Sequence, residues 1–352
     1  MNMTNIISGV LTAGVLFSGA LSAQQQGDPA ATLNAIVQAK SAKGLTPVRL
    51  VNPEIIDKGK LRLIPLGQNA DPTPRDMTSK ELKVLAIMAP PELVEARRLY
   101  SEGNLNAAKR KLAETRVKYT NFVGLPDSPS VQAARTELRC LARLRDWAGL
   151  AKAVEEFPYP KLQESTDRAM LNAARLLSHV SDDPATAADR RKDIEAQLAD
   201  TNRIKRLHST EYGWLKYALG RALASGIPTD SVPEDKVAQA SQAVDAYCEA
   251  AVCYRGGEME IATDALVRAF HLLWAMPGVK HYGNTVKKMD AKKWNEAPAD
   301  FRDAVAMANM LTTILAPELK DAAVQQAAGY FVNTQEGKRP ATAGNAPADA
   351  KG

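Results

Sequence analysis

The sequence predicts an all-α protein: antiparallel helical hairpins stacked as an α-solenoid, preceded by a short N-terminal extended segment with a β-hairpin. Three observations predict it. Between Ser79 and Asn333 apolar residues recur at three-and-four spacing. Breaks fall every ten to twenty residues along that stretch. The composition is rich in alanine with only 5% aromatic residues, so the interior is built from small side chains that let helices approach closely. At 352 residues the chain is long enough to bury a substantial core as one large domain or two ordinary ones. Its net charge of +5, from 45 basic and 40 acidic residues, is too mild for a dedicated nucleic-acid binder.

The N-terminus predicts export. "IISGVLTAGVLFSGALSA" is an uncharged apolar run ending in Leu21-Ser22-Ala23, with small residues ahead of "QQQGDPAA", as a secretory signal peptide requires. Residues 1–23 are therefore expected to be removed after Ala23, and the protein to be periplasmic or extracellular. No Lys or Arg precedes the run, so the amino terminus alone supplies the positive charge. An uncleaved membrane anchor is the competing reading, but the run is short for a span and diluted by Gly, Ser and Thr. No Cys follows the cleavage point to take a lipid anchor, and no later segment has the apolar length to cross a bilayer.

Residues 24–78 read as a helix, a small hairpin and a linker. Asp28 and Pro29 can cap and start a helix whose body is "ATLNAIVQAKSA" and whose end is Gly44. "PVRLVN" and "KLRLIPLG", around "PEIIDKGK", have the alternating β-branched character of a hairpin. "GQNADPTPRDMTSKE" is dense in Pro, Asp, Asn and Thr and reads as a linker. The helical repeat domain spans 79–333. Its helices are expected over Glu92 to Glu102, Asn106 to Tyr119, Ser130 to Arg145, Ala148 to Phe157, Ser165 to Val180 and Pro184 to Ala199. The series continues with Ser209 to Ala224, Pro233 to Tyr254, Glu258 to Met276, Pro298 to Leu315 and Pro317 to Val332. Asp183 before Pro184, Ser209, and Ala316 before Pro317 carry start signals. Residues 334–352 have almost no large apolar side chain and are expected to be disordered.

Three cysteines, Cys140, Cys248 and Cys253, allow at most one intrachain bridge. Cys248 and Cys253 lie five apart in one helix, on different faces, so buried unpaired thiols are expected. The histidines, His179, His208, His271 and His281, are scattered, and no zinc spacing is present, so no metal or cofactor is expected.

"ARRLYSEGNLNAAKRKLAET" carries the one specific likeness. Ala96, Leu99, Gly103, Ala108 and Leu112 fall at the spacing of a helical hairpin in which Ala96 and Ala108 let the axes approach while Leu99 and Leu112 fill the gap. This stretch resembles the tetratricopeptide repeat. Glu92 and Glu95 stand where that family places large apolar residues. "CLARLRDWAGLAKAVEEFP", with Asp146-Trp147 at the turn, looks like a more diverged copy, and the rest of the chain keeps only the hairpin rhythm. The resemblance implies a right-handed superhelix whose groove binds peptides or protein segments without chemistry.

Charge points to an anion-receptive surface on the first two hairpins. From Arg97 to Tyr119 seven basic residues (Arg97, Arg98, Lys109, Arg110, Lys111, Arg116, Lys118) face two acidic ones, a local excess of five. Arg135, Arg139 and Arg143 repeat at four-residue spacing along one stripe. The apolar set Val131, Ala134, Leu138 and Leu141 lies roughly 120° away at about 100° per residue. The candidate binding residues are Arg97, Arg98, Lys109, Arg110, Arg135, Arg139 and Arg143, for an acidic protein segment or an anionic envelope polymer. A merely solvated face is the competing reading. A second basic stretch, "VKHYGNTVKKMDAKKW", reads as a solvated connector rather than a nucleic-acid site.

The alternative function is a hydrolase or lyase acting on extracellular or envelope glycan, since about six helical hairpins can also close into an α/α toroid. Such chemistry needs two carboxylates across a cleft and aromatic platforms for sugar rings. Asp182, Asp183, Asp189 and Asp193 look like residues of a helix N-terminus, and four Trp and six Phe furnish sugar subsites poorly. No H-E-x-x-H, G-x-S-x-G or phosphate-cradling glycine loop is present, and the paired glycines of "YRGGEME" read as a cap and turn. Trp214, Tyr217, Leu219 and Leu223, and Phe270, Leu273, Trp274 and Met276, are expected to pack in the core. An exported, non-catalytic binding scaffold is the function expected.

Overall fold

The computed structural model describes residues 31–51, 60–67, 71–125, 127–157, 165–179, 184–253, 259–286 and 289–331. The expected signal peptide, the "PEIIDKGK" turn apart from its last lysine, Asp182, Asp183, the paired glycines near 256 and the tail from 334 all lie outside them. The chain divides into two compact units, Met1–Cys140 with Glu155–Gln163, and Leu141–Val154 with Glu164–Gly352. The described residues are rich in helix, with an antiparallel sheet at the N-terminal end.

The first unit holds that sheet, built from β1 (Leu33–Ala39), β2 (Thr46–Val51), β3 (Lys60–Pro65), β4 (Arg75–Thr78) and β5 (Leu82–Ile87) in the order β4-β3-β2-β1-β5. The hairpin expected from "PVRLVN" and "KLRLIPLG" is its β2–β3 pair, with Leu50 opposite Leu63. The expected helix over "ATLNAIVQAKSA" is instead β1. Leu33, Ala35 and Val37 alternate with more exposed neighbours, and this period of two buries one side of the strand against the core. Leu33 and Val37 also fit a helical stripe together with Ile36, and strand pairing on both sides of β1 decides between the two. The expected linker contributes the edge strand β4, tied to β3 by Arg62 and Asp76 at 2.7 Å. β5 lies inside the expected helical domain, ahead of its first expected helix, and closes the other edge.

The sheet's apolar face packs against Tyr119, Phe122 and Leu125, which follow the second helix. α1 (Pro91–Ser101) and α2 (Leu105–Lys118) form the expected hairpin. Ala96, Ala108 and Leu112 are completely buried, and Gly103 turns the chain at φ +78°, a conformation that favours glycine. α3 (Pro129–Leu144) and α4 (Trp147–Glu155) follow, and the division between the units falls inside α3. At the turn between them Arg145 takes φ +56°, the left-handed role that Gly103 plays earlier, while Asp146 Oδ1 accepts the Gly149 amide at 2.9 Å.

The second unit is helical: α5 (Ser165–Ser178), α6 (Pro184–Ala199), the short α7 (Thr201–Ile204), α8 (Ser209–Ala224), α9 (Val237–Cys253) and α10 (Met259–Trp274). α11 (Pro277–Thr285), α12 (Ala291–Glu296), α13 (Ala299–Met310), a π-helical turn over Leu311–Leu315 and α14 (Ala322–Phe331) complete it. α5 and α6 pack on α8, α8 on α9, α9 on α10, α10 on α13 and α13 on α14. The few aromatics are strung along these crossings. Trp147, Tyr217 and Tyr247 join α4, α8 and α9, and Phe270, Trp274, Phe301 and Tyr330 join α10, α13 and α14, with ring centroids between 5.6 and 6.2 Å apart.

One cap, one helix start and one connector differ from expectation. Ser209 is the first helical residue, and no side chain caps it. Pro317 does not start a helix; Asp321 does, its Oδ1 accepting the Ala323 and Val324 amides at 3.0 Å. The second basic stretch is not a solvated connector but α11 and α12. Asp290 caps α12 through the Lys293 amide, and Trp294 is buried with its ring edge-on to Phe331.

Close approach of α8 and α9 depends on Gly220, where an added Cβ would lie 2.7 Å from Tyr247 ring carbons. Gly220→Ala is expected to lower stability by about 1–3 kcal/mol through overpacking. Gly329→Ala, in a helix with open space around the added methyl, should raise it by roughly 0.5–1 kcal/mol. Thermal unfolding of both variants checks the pair.

Candidate functional site

The seven basic residues read from the sequence do not form one open anionic receptor. Arg98 lies between Glu95 at 2.7 Å and Glu102 at 2.5 Å on its own helix. Arg97 donates to Gln132 Oε1 at 2.5 Å, Lys109 is half-buried, and Arg110 is exposed. Arg135 and Arg139 are half-buried, and Arg143 is buried. The expected solvated stripe is therefore absent, because α3 is covered on most of its circumference: Ala133, Leu138, Cys140 and Ala142 are all fully buried.

The local excess of five also dissolves. Lys118 pairs with Glu92 at 2.6 Å, and Lys111 approaches Glu114 at 3.6 Å. Arg116 is buried, donating through Nε to Glu137 at 2.8 Å and through Nη2 to Glu156 at 3.0 Å. Burial pushes the Glu137 carboxyl above the ordinary range, with the Arg116 charge opposing it. Glu92, Glu95, Glu137 and Glu156, which answer three of these bases, lie before and after the counted stretch, so a count within it overstates the excess.

A different cluster emerges in the helical unit, centred on Asp264. This carboxylate accepts the Tyr217 hydroxyl at 2.5 Å, Arg268 Nε at 2.7 Å and Arg145 Nη1 at 2.6 Å. Arg221 Nη1 stands 3.4 Å from the same Tyr217 hydroxyl. One turn before Asp264, Glu260 takes a two-pronged hold from Arg143, at 3.0 and 2.7 Å. The two arginines of the α3–α4 turn thus grip two successive carboxylates of α10. Burial works against ionisation of Asp264, yet its hydrogen bonds from Tyr217 and Arg268 and the charges of Arg268 and Arg145 prevail and hold its pKa below the ordinary value. Burial and the Asp264 charge push the Tyr217 phenol up, and burial pushes Tyr247 up further.

Beside this hub a cavity of about 590 Å³ opens between the end of α8, α9 and α10. Arg221, Arg268, His271, Ser225 and Thr229 give it polar groups, and Ile227, Val267 and Leu272 give it apolar wall. His271 Nε2 is 2.9 Å from Asp321 Oδ2. A second cleft of about 720 Å³ shares Asp264 and Val267 and runs to Leu315 and Leu319.

Sequence reasoning placed Tyr217 in the core, where it is, without seeing that its hydroxyl serves Asp264. It also missed the polar ladder Glu260, Asp264, Arg268 and His271. At about 100° per residue these four fall within roughly 80° of one another on α10, a signal available beside the apolar side that was read. All three cysteines are unbridged; Cys140 is buried with its thiol 3.1 Å from the Leu105 carbonyl oxygen. Among the described residues no cluster of His, Cys, Asp and Glu is arranged to hold a metal, and no helix is long and apolar enough to cross a membrane. In comparison with known proteins, no family model, curated protein or solved structure matches the chain significantly.

Replacing the hub carboxylate, Asp264→Asn, should lower stability at neutral pH by about 1–3 kcal/mol, because three donors lose a charged acceptor while the two arginines among them stay partly in water. Because the folded pKa of Asp264 is depressed, its contribution is complete above the unfolded value of about 3.9 and disappears as pH falls through the lower folded value. The wild-type protein is therefore expected to show an acid limb below that value that the Asn variant lacks. Calorimetric melts between neutral and strongly acidic pH check both expectations.

Proposed function

We propose that the protein is an exported, non-catalytic binding protein whose helices stack as a tetratricopeptide-like solenoid and receive an anionic ligand in the cavity beside Arg268. The observation that carries this reading is the locked state of the site's central carboxylate. Asp264 is ionised and held by three donors, which suits a group that positions its neighbours and not one that exchanges protons with a substrate. The hairpin of α1 and α2 and the successive pairing of α8, α9 and α10 support the repeat architecture. The apolar N-terminal run with its small-residue end supports export to the periplasm or outside the cell. The ligand is an anionic cell-envelope component or an acidic protein segment.

The second reading, a glycan hydrolase, draws on the His271–Asp321 pair at the cavity, in which a carboxylate orients an imidazole. Against it, the other oxygen of Asp321 is committed to the first amides of α14, which accounts for the residue as a helix cap.

Incubation with soluble envelope extract, followed by native mass spectrometry, separates the two. A binding protein retains an anionic ligand and releases it with unchanged mass. Hydrolysis of added envelope glycan, lost in His271→Ala, would instead establish the enzyme.

A further inference from the structure

We infer that the ligand taken by this cavity is a small monocarboxylate with an aliphatic body, received by the two terminal nitrogens of Arg268. The inference rests on the binding reading and names its ligand class.

Arg268 is held at one corner only. Its Nε donates to Asp264 at 2.7 Å, and Asp264 is itself fixed by Tyr217 and Arg145, so the guanidinium plane is set before any ligand arrives. Its Nη1 and Nη2 make no hydrogen bond among the described residues, and the side chain is 37% exposed where it lines the cavity. Two parallel N–H donors on a planar, permanently charged group match the two oxygens of a carboxylate. Arg268 is thus the group in this wall that offers an anion two donors.

The charge balance selects a monoanion. Asp264 stands in the wall and Asp321 lies 2.9 Å from the ring of His271, so a dianion such as a phosphate monoester meets two nearby carboxylates that a carboxylate head, with half the charge, meets less strongly. Away from Arg268, the walls are Ile227, Val267 and Leu272, which suit an aliphatic chain. A volume of about 590 Å³ is that of a site for a small molecule, with no room for a folded segment.

Isothermal titration of the full chain with octanoate, octyl phosphate and octanol tests this. Octanoate is expected to bind, octanol about tenfold or more weakly, and octyl phosphate between them or below. Arg268→Met, which keeps the apolar stem, should cost octanoate about tenfold or more while leaving octanol unchanged, and Arg268→Lys should recover part of the loss. Equal affinity for octanoate and octanol, unaltered octanoate binding by Arg268→Met, or stronger binding of octyl phosphate overturns the assignment. A second measurement needs no variant: the labelled carboxyl carbon of octanoate, followed by NMR, should titrate at lower pH when bound, and an unshifted titration is equally fatal. An acidic peptide that displaces octanoate without need of Arg268 would reassign the cavity to a protein partner. Failure of every octyl probe alongside a ligand retained from envelope extract would remove the carboxylate assignment and leave the binding function standing.

Discussion

The helical unit is organised around one half-buried carboxylate, Asp264. Asp264 sits on α10 and collects donors from α8, from its own helix and from the α3–α4 turn. A carboxylate in such a place is costly unless its lone pairs are filled, and three donors, two of them cationic, fill them. The consequence reaches the backbone. Arg145 is held in the left-handed region, which a non-glycine residue rarely occupies, and from there its guanidinium meets Asp264 while Arg143 two residues earlier meets Glu260. The hub therefore fixes where the α3–α4 turn meets α10, and the cavity beside it inherits rigid walls.

The first unit solves its charge problem differently. Arg116 is taken inside and shared by Glu137 and Glu156, and on the first helix Glu92 and Glu95 pair with Lys118 and Arg98. The sheet beneath is held by one apolar face, and the side chains after α2 complete its core.

Helices were legible because each writes its periodicity locally. Pro184–Ala199 and Ser209–Ala224 fall where the three-and-four pattern places them. The β1 segment was not legible in the same way, since Leu33 and Val37 join Ile36 in a helical period and Ala35 in a period of two, and only the pairing partners, about fifty residues away in β5, choose. β4 was hidden by Pro and Asp residues that the edge of a sheet tolerates. The hub was illegible for a deeper reason. Arg143, Arg145, Tyr217 and Asp264 lie more than a hundred residues apart at the extremes, and nothing in a linear charge count distinguishes a basic residue facing water from one gripping a distant acid.

On the proposed reading, the same locking that disqualifies Asp264 from proton transfer qualifies Arg268 as a preset anchor, since an arginine tethered at Nε loses less freedom when its remaining nitrogens engage a ligand. The most direct test is an NMR titration of the Asp264 carboxyl in the intact protein. A midpoint below the ordinary aspartate value of about 3.9 is what three donors on a half-buried carboxylate require. A midpoint at or above that value would mean that burial prevails and that the hub does not hold its charge, and the account of the helical unit would fail with it.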